Sequence, residues 1–128
     1  MGGSSAKPQD LKLKMSKEEY TKRKLALIQK LDSYLFLLRI RMESWQRNPV
    51  WYRNDSLHYI NLAIPESKGL QSLTGYDGVN RKLRQLKKSI EEHHNLYDPL
   101  KEQDWWDLGE AERGVNLMRC VDGKKEAL

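Results

Sequence analysis

The groups able to make or break bonds in this sequence are few: His58, His93, His94 and one cysteine, Cys120. A histidine near neutral pH can hold a metal or pass a proton, and a thiolate can attack an electrophile. Each task needs partners at set spacing. His93 and His94 are adjacent, so on a helix their side chains diverge by about 100° and make a poor chelate. The lone cysteine leaves no ligand set of structural-zinc spacing. As a nucleophile Cys120 would need a base and an oxyanion site, and no local pattern supplies either. It cannot close an internal disulfide, which favours a reducing compartment. The expectation is a protein with no enzyme activity, no metal and no cofactor.

What remains is charge and aromatic surface. Lys and Arg number 23 against 18 Asp and Glu, a formal net charge of +5, which suits a polyanionic partner. One basic group opens the chain: Lys7, Lys12, Lys14, Lys17, Lys22, Arg23 and Lys24. Near an anionic lipid surface each contributes about 1 kcal/mol, less what Asp10, Glu18 and Glu19 offset. Gly2, directly behind Met1, is the residue that N-myristoylation requires. Over ten residues, Gly2, Ser4, Lys7, Pro8 and Asp10 resemble the myristoylated leader of Src-family kinases, with Ala6 where that pattern favours Ser or Thr. A single myristoyl chain binds membranes marginally, so the resemblance implies a lipid at Gly2 acting together with the lysines.

A second basic group, Arg81, Arg84, Lys87 and Lys88, falls on related turns of one predicted helix. Such a face can track a phosphate backbone. The sequence carries no zinc finger, RNP-type strand or clear helix-turn-helix, so nothing points to reading of bases. Trp51, Trp105 and Trp106 are the candidate protein-binding residues. Adjacent helical tryptophans cannot both face a core, so one of Trp105 and Trp106 must be at least partly exposed, and exposed tryptophan is favoured at interfaces.

The elements that position these groups are read from two apolar seams with alternating steps of three and four. Ile28, Leu31, Leu35, Leu38, Met42 and Trp45 form one; Val79, Leu83, Leu86, Ile90 and His93 form the other. Ser16 and Glu19 make a capping box that starts a long helix over about 16–47, which Asn48-Pro49 stops. Phe36, Leu37 and Ile40 give this helix a second apolar side, and Arg39 is spaced to pair with Glu43. The second seamed helix spans about 78–94. Between them the sequence predicts an aromatic connection from Val50 to Asp55, then a short helix in Ser56–Ile64 ended by Pro65. The alternation of His58, Ile60, Leu62 and Ile64 also fits a strand there. Ser67, Gly69, Ser72, Gly75 and Gly78 read as a loop over 66–78. Asp98-Pro99 is expected to start a short helix ending near Leu108-Gly109, followed by a last helix from Glu110 to Val121.

These elements predict an all-α fold, a small helical bundle in which the two seamed helices pack antiparallel across the 66–78 loop. Residues 16–121 form the single domain, between a flexible basic tail at 1–15 and a frayed end at 122–128. No apolar run approaches the roughly 20 residues needed to cross a bilayer. The first residues lack the apolar centre of a secretory signal. The expected location is cytoplasmic, at the cytoplasmic face of a membrane. Gly2, a basic region and a helical body of this length are similar in layout to retroviral matrix domains. The expected function is that of a non-catalytic adaptor, matrix-like or assembly protein that binds a protein partner or itself and touches an anionic membrane. The alternative is an accessory protein that binds nucleic acid through Arg81, Arg84, Lys87 and Lys88.

Overall fold

A computed structural model describes residues 15–121. The expectations for Gly2, Lys7, Lys12, Lys14 and the 122–128 segment therefore lie outside the described residues. Within them stand four helices: α1 (Lys17–Glu43), α2 (Pro49–Thr74), α3 (Gly78–Glu91) and α4 (Glu102–Cys120). A short 3₁₀ turn, Trp45–Arg47, joins α1 to α2, and the described residues contain no strand. The fold is the all-α bundle that the seams predict.

The Ser16 hydroxyl accepts the Glu19 N–H at 3.0 Å and starts α1, which is half of the expected capping box; the Glu19 carboxylate pairs with Arg23. Every residue of the first seam, from Ile28 to Trp45, is buried. Successive helices run antiparallel. Lys30 faces Glu66 and Arg41 faces Asp55 across α1 and α2, while Asn80 meets Ile64 and Ser67 across α2 and α3. The α3–α4 pair approaches closely at Gly114, where an added Cβ would come within 2.9 Å of Val79 Cγ2. Finally α4 closes the ring on α1 through Lys24 to the Val121 carbonyl, Arg119 to Asp32 and Arg39 to Glu112. The result is an up-down-up-down bundle with one shared core.

Three expectations are corrected. The seamed helices are not antiparallel neighbours: α1 packs chiefly on α2, and α3 lies between α2 and α4, so α1 and α3 run parallel across the bundle's diagonal. Each seam finds its partner in a helix whose own pattern is less regular.

The second correction is α2 itself. In place of a connection, a short helix and a loop, one 26-residue helix runs from Pro49 to Thr74, straight through Pro65, Ser67 and Gly69. Asn48 caps it by accepting the Trp51 N–H at 3.2 Å, with Pro49 in the first turn. Pro65 is exposed, so the carbonyl it leaves without a helical partner, that of exposed Asn61, is open to water. Ser67 is buried yet satisfied, donating to the Ile64 carbonyl and accepting from Asn80 Nδ2 at 2.9 Å. The helix stops only at Gly75, whose φ of 85° is the left-handed conformation that a helix C-terminus uses.

Third, α4 is one helix and not two. Asp98-Pro99 does not cap it; Leu100 is drawn into the core, and the helix starts two residues later. Asp104 instead reaches back to the Lys101 N–H at 3.1 Å. Gly109 sits within α4 beside Arg113, without ending it.

Candidate functional site: the tryptophan groove

The antiparallel ring brings the α1–α2 turn and the α3–α4 loop to the same end of the bundle. Trp45 Nε1 donates to the Leu96 carbonyl at 2.9 Å, and Arg53 donates to the Glu91 carbonyl at 3.1 Å. Since Trp51 is in the first turn of α2 and Trp105 and Trp106 are in the first turns of α4, all four tryptophans collect at this end. Trp45 is buried and structural, with the His93 ring edge-on at 5.4 Å.

Between α1 and α4 runs an open groove of about 560 Å³, lined by Arg39, Glu102, Gln103, Trp105, Trp106, Gly109 and Arg113. Trp105 packs against the core, whereas Trp106 is 56% exposed, the division expected for adjacent helical tryptophans. The absence of a side chain on Gly109 keeps the groove open one turn further along. Arg113, two turns beyond Trp106, lays its guanidinium 5.3 Å from the indole centre while its Nε donates to Glu110 at 2.9 Å. Phe36, 64% exposed, lies on the α1 face between the two ion pairs that register α1 against α4.

Arg39 forms the opposite wall. Its Nε and Nη2 donate to the two Glu112 oxygens at 2.8 and 2.7 Å, and Glu43 stands 3.9 Å from Nη1. The Glu112 hydrogen bonds, reinforced weakly by Glu43, hold Arg39 above the usual arginine value. The pair with Glu43 expected from spacing is therefore the minor contact. Both partners are about one-third exposed, so solvent screens the pair. Arg39→Gln and Glu112→Gln should each lower stability by only about 0.5–1 kcal/mol. A double-mutant cycle in urea checks this: coupling near zero would remove the pair as a determinant of the groove's wall.

Trp51 is exposed but lies outside this groove, in an edge contact with Tyr52 at 4.6 Å and 5.9 Å from the Arg41 guanidinium. Arg41 is in turn bound to Asp55.

The basic groups are partly committed to the fold. Lys24 is buried and donates to the Val121 carbonyl at the end of α4, and Arg23 pairs with Glu19 at 2.9 Å. Lys17 and Lys22 are exposed and have no ion pair among the described residues. On α3, Arg81 stands 3.8 Å from Asp77 and Lys87 is half-buried, which leaves Arg84 and Lys88 exposed without an ion pair among the described residues.

His93 is buried with Nε2 3.1 Å from the Asp98 carbonyl; His58 and His94 are exposed. No group of three or more His, Cys, Asp and Glu that could hold a metal lies among the described residues. The sequence reading singled out both tryptophans of the groove but not Arg113, Glu102 or the inter-helix role of Arg39. The Trp106-to-Arg113 spacing of two helical turns carried a signal for the stacked arginine. Glu112, 73 residues from Arg39, carried none. No family model, curated protein or solved structure matches the chain.

Proposed function

We propose that the chain is a non-catalytic adaptor or assembly protein that binds a protein partner at its tryptophan end. The carrying observation is Trp106, more than half exposed in a groove beside Trp105 and Arg113. An indole so exposed contributes little to the fold. Covering its large ring would contribute to binding, and tryptophan and arginine are the side chains that most often dominate interfaces. The groove's walls belong to two helices held in register by ion pairs, so it is largely preformed.

The opposite end takes the finer reading. There α1 begins with Lys17 and Lys22, and the preceding sequence carries Gly2, Lys7, Lys12 and Lys14. We assign this end to an anionic membrane at its cytoplasmic face, in a matrix-like arrangement with a lipid on Gly2. The described helices include none long and apolar enough to cross a membrane. Flotation with anionic liposomes, comparing wild type and Gly2→Ala made with a myristoyltransferase, tests the lipid; equal flotation would remove it and leave the partner site standing.

For that site, a photo-reactive phenylalanine analogue at position 106 in the native cell should crosslink to protein, and the same probe at exposed Lys68 on α2 should not. No protein adduct at position 106 would end the reading.

Nucleic acid is the second reading, favoured by one observation: Arg84 and Lys88 project from α3 without an ion pair among the described residues. Two such cations limit the salt dependence to a log–log slope of about −2 on duplex DNA, where all four basic residues would give about −4. Binding unchanged when Arg84 and Lys88 become glutamine would dismiss it.

A further inference from the structure

The groove's charge runs against that of the chain. Glu43, Glu102, Glu110 and Glu112 line or adjoin it through Arg39 and Arg113, so four carboxylates face two guanidiniums. Lys101, next to Glu102 in the chain, reduces the negative excess without removing it. Glu102 is exposed with no ion pair among the described residues. An apolar surface with a negative rim fits a segment that presents apolar and cationic side chains together.

The sequence supplies such a segment. Leu11, Lys12, Leu13, Lys14 and Met15 alternate apolar and basic residues, and α1 continues them with Lys17 and Lys22. That segment cannot reach the groove of its own molecule. From Lys17 to Arg39 α1 runs about 33 Å at 1.5 Å per residue. Leu11 stands six residues ahead of Lys17, and six fully extended residues span at most about 22 Å.

We infer that the occupant of the tryptophan groove is a second copy of this chain, engaged head to tail through the Leu11–Lys14 segment and the basic start of α1. A groove-to-groove pairing by twofold symmetry would set the excess carboxylates against their own counterparts, so the complementary arrangement is the heterologous one. A pair so joined keeps one free groove and one free basic end, and the contact propagates as a ring or filament. The inference rests on the protein-binding reading of the groove and names its partner; Lys12, Lys14, Lys17 and Lys22 then serve the groove in an engaged copy and the membrane only at a free end.

Sedimentation of the purified full chain against concentration and salt tests it. The expected result is association that grows past the dimer as concentration rises toward about 1 mM. It should weaken at least about tenfold between about 50 and about 500 mM salt. Two variants make the arrangement specific: Lys12→Glu with Lys14→Glu spoils the segment, and Glu102→Lys with Trp106→Ala spoils the groove. Glu102 and Trp106 are exposed, and unchanged helical circular dichroism checks that both variants fold.

Each variant alone should stay monomeric. Mixed, they should form a dimer of twice the 15.1 kDa chain mass that grows no further, because only one intact groove and one intact segment meet. A wild type that stays monomeric at low salt, or variants that still associate as wild type does, would overturn the inference. If the wild type is monomeric while the probe at position 106 captures a different protein, the head-to-tail partner is wrong and the groove reading survives; a monomer with no capture ends both.

Discussion

Replacing Trp45 by alanine should cost about 3–5 kcal/mol of stability, the range for truncating a buried tryptophan. Trp45 is 2% exposed and closes the core where the two helical hairpins meet. Its ring packs among the first-seam residues and against His93, and its Nε1 hydrogen bond to Leu96 fixes the α3–α4 loop to the α1–α2 turn. Alanine would remove the packing and the donor together. Trp45→Phe separates them: it keeps most of the ring and loses the hydrogen bond, so it should cost about 1–2 kcal/mol.

For a domain of this size the alanine change corresponds to a fall in Tm of roughly 12–20 °C. Urea unfolding followed by far-ultraviolet circular dichroism reads both variants without relying on the removed fluorophore. A loss below about 1 kcal/mol for alanine would show that the α3–α4 loop is not seated on this residue. The same loop is where α4 begins with Trp105 and Trp106. The alanine variant should therefore also loosen the groove, seen as faster hydrogen exchange across residues 93–106.

The seams made the core legible because burial on a helix repeats at a fixed period, and that period survives any arrangement of neighbours. All the residues of both seams are buried, His93 included. The exposure of one of two adjacent tryptophans followed from the same geometry. What the sequence obscured was continuity. Proline, glycine and serine are read as punctuation because of what they do to an isolated backbone, and in α2 the surroundings cancel those effects. Gly69 is a packing residue: a Cβ there would meet Leu27 Cδ2 at 3.1 Å. Ser67 satisfies itself on the helix and receives Asn80 from α3.

Asp98-Pro99 failed as a cap for the opposite reason. Its local signal is strong, but Leu100 is held in the core and Lys101 after it is extended, so the helix begins only at Glu102. The groove's arginine wall was hidden because Arg39 and Glu112 meet only after the ring closes, and no local spacing encodes that meeting.

Pro65→Ala should raise stability by about 2 kcal/mol, an unusual direction for a change in the middle of a 26-residue helix. Proline in a helix interior is about 3 kcal/mol less favourable than alanine, through the lost N–H and the clash of its ring with the preceding turn. Against this, proline restricts the unfolded chain, and removing it returns about 0.4–1 kcal/mol of that advantage to the unfolded state. Pro65 is exposed and makes no part of the core, so alanine opens no cavity, and its N–H can reach the Asn61 carbonyl. The gain should appear as a Tm about 8 °C higher.

The opposite outcome would be as informative. Asn80 reaches α2 just beside the proline, donating to Ser67 Oγ at 2.9 Å and lying 3.4 Å from the Ile64 carbonyl. If the distortion that Pro65 imposes is what admits Asn80 to that turn, alanine would straighten the turn and strand a buried amide, at a cost of about 1–3 kcal/mol that cancels the gain. A cycle with Asn80→Ala distinguishes the two. Additive effects mean that the proline is only tolerated; strong coupling means that α2 and α3 are locked together at Pro65, and that the residue which looked like a helix stop is part of how the second hairpin docks on the first.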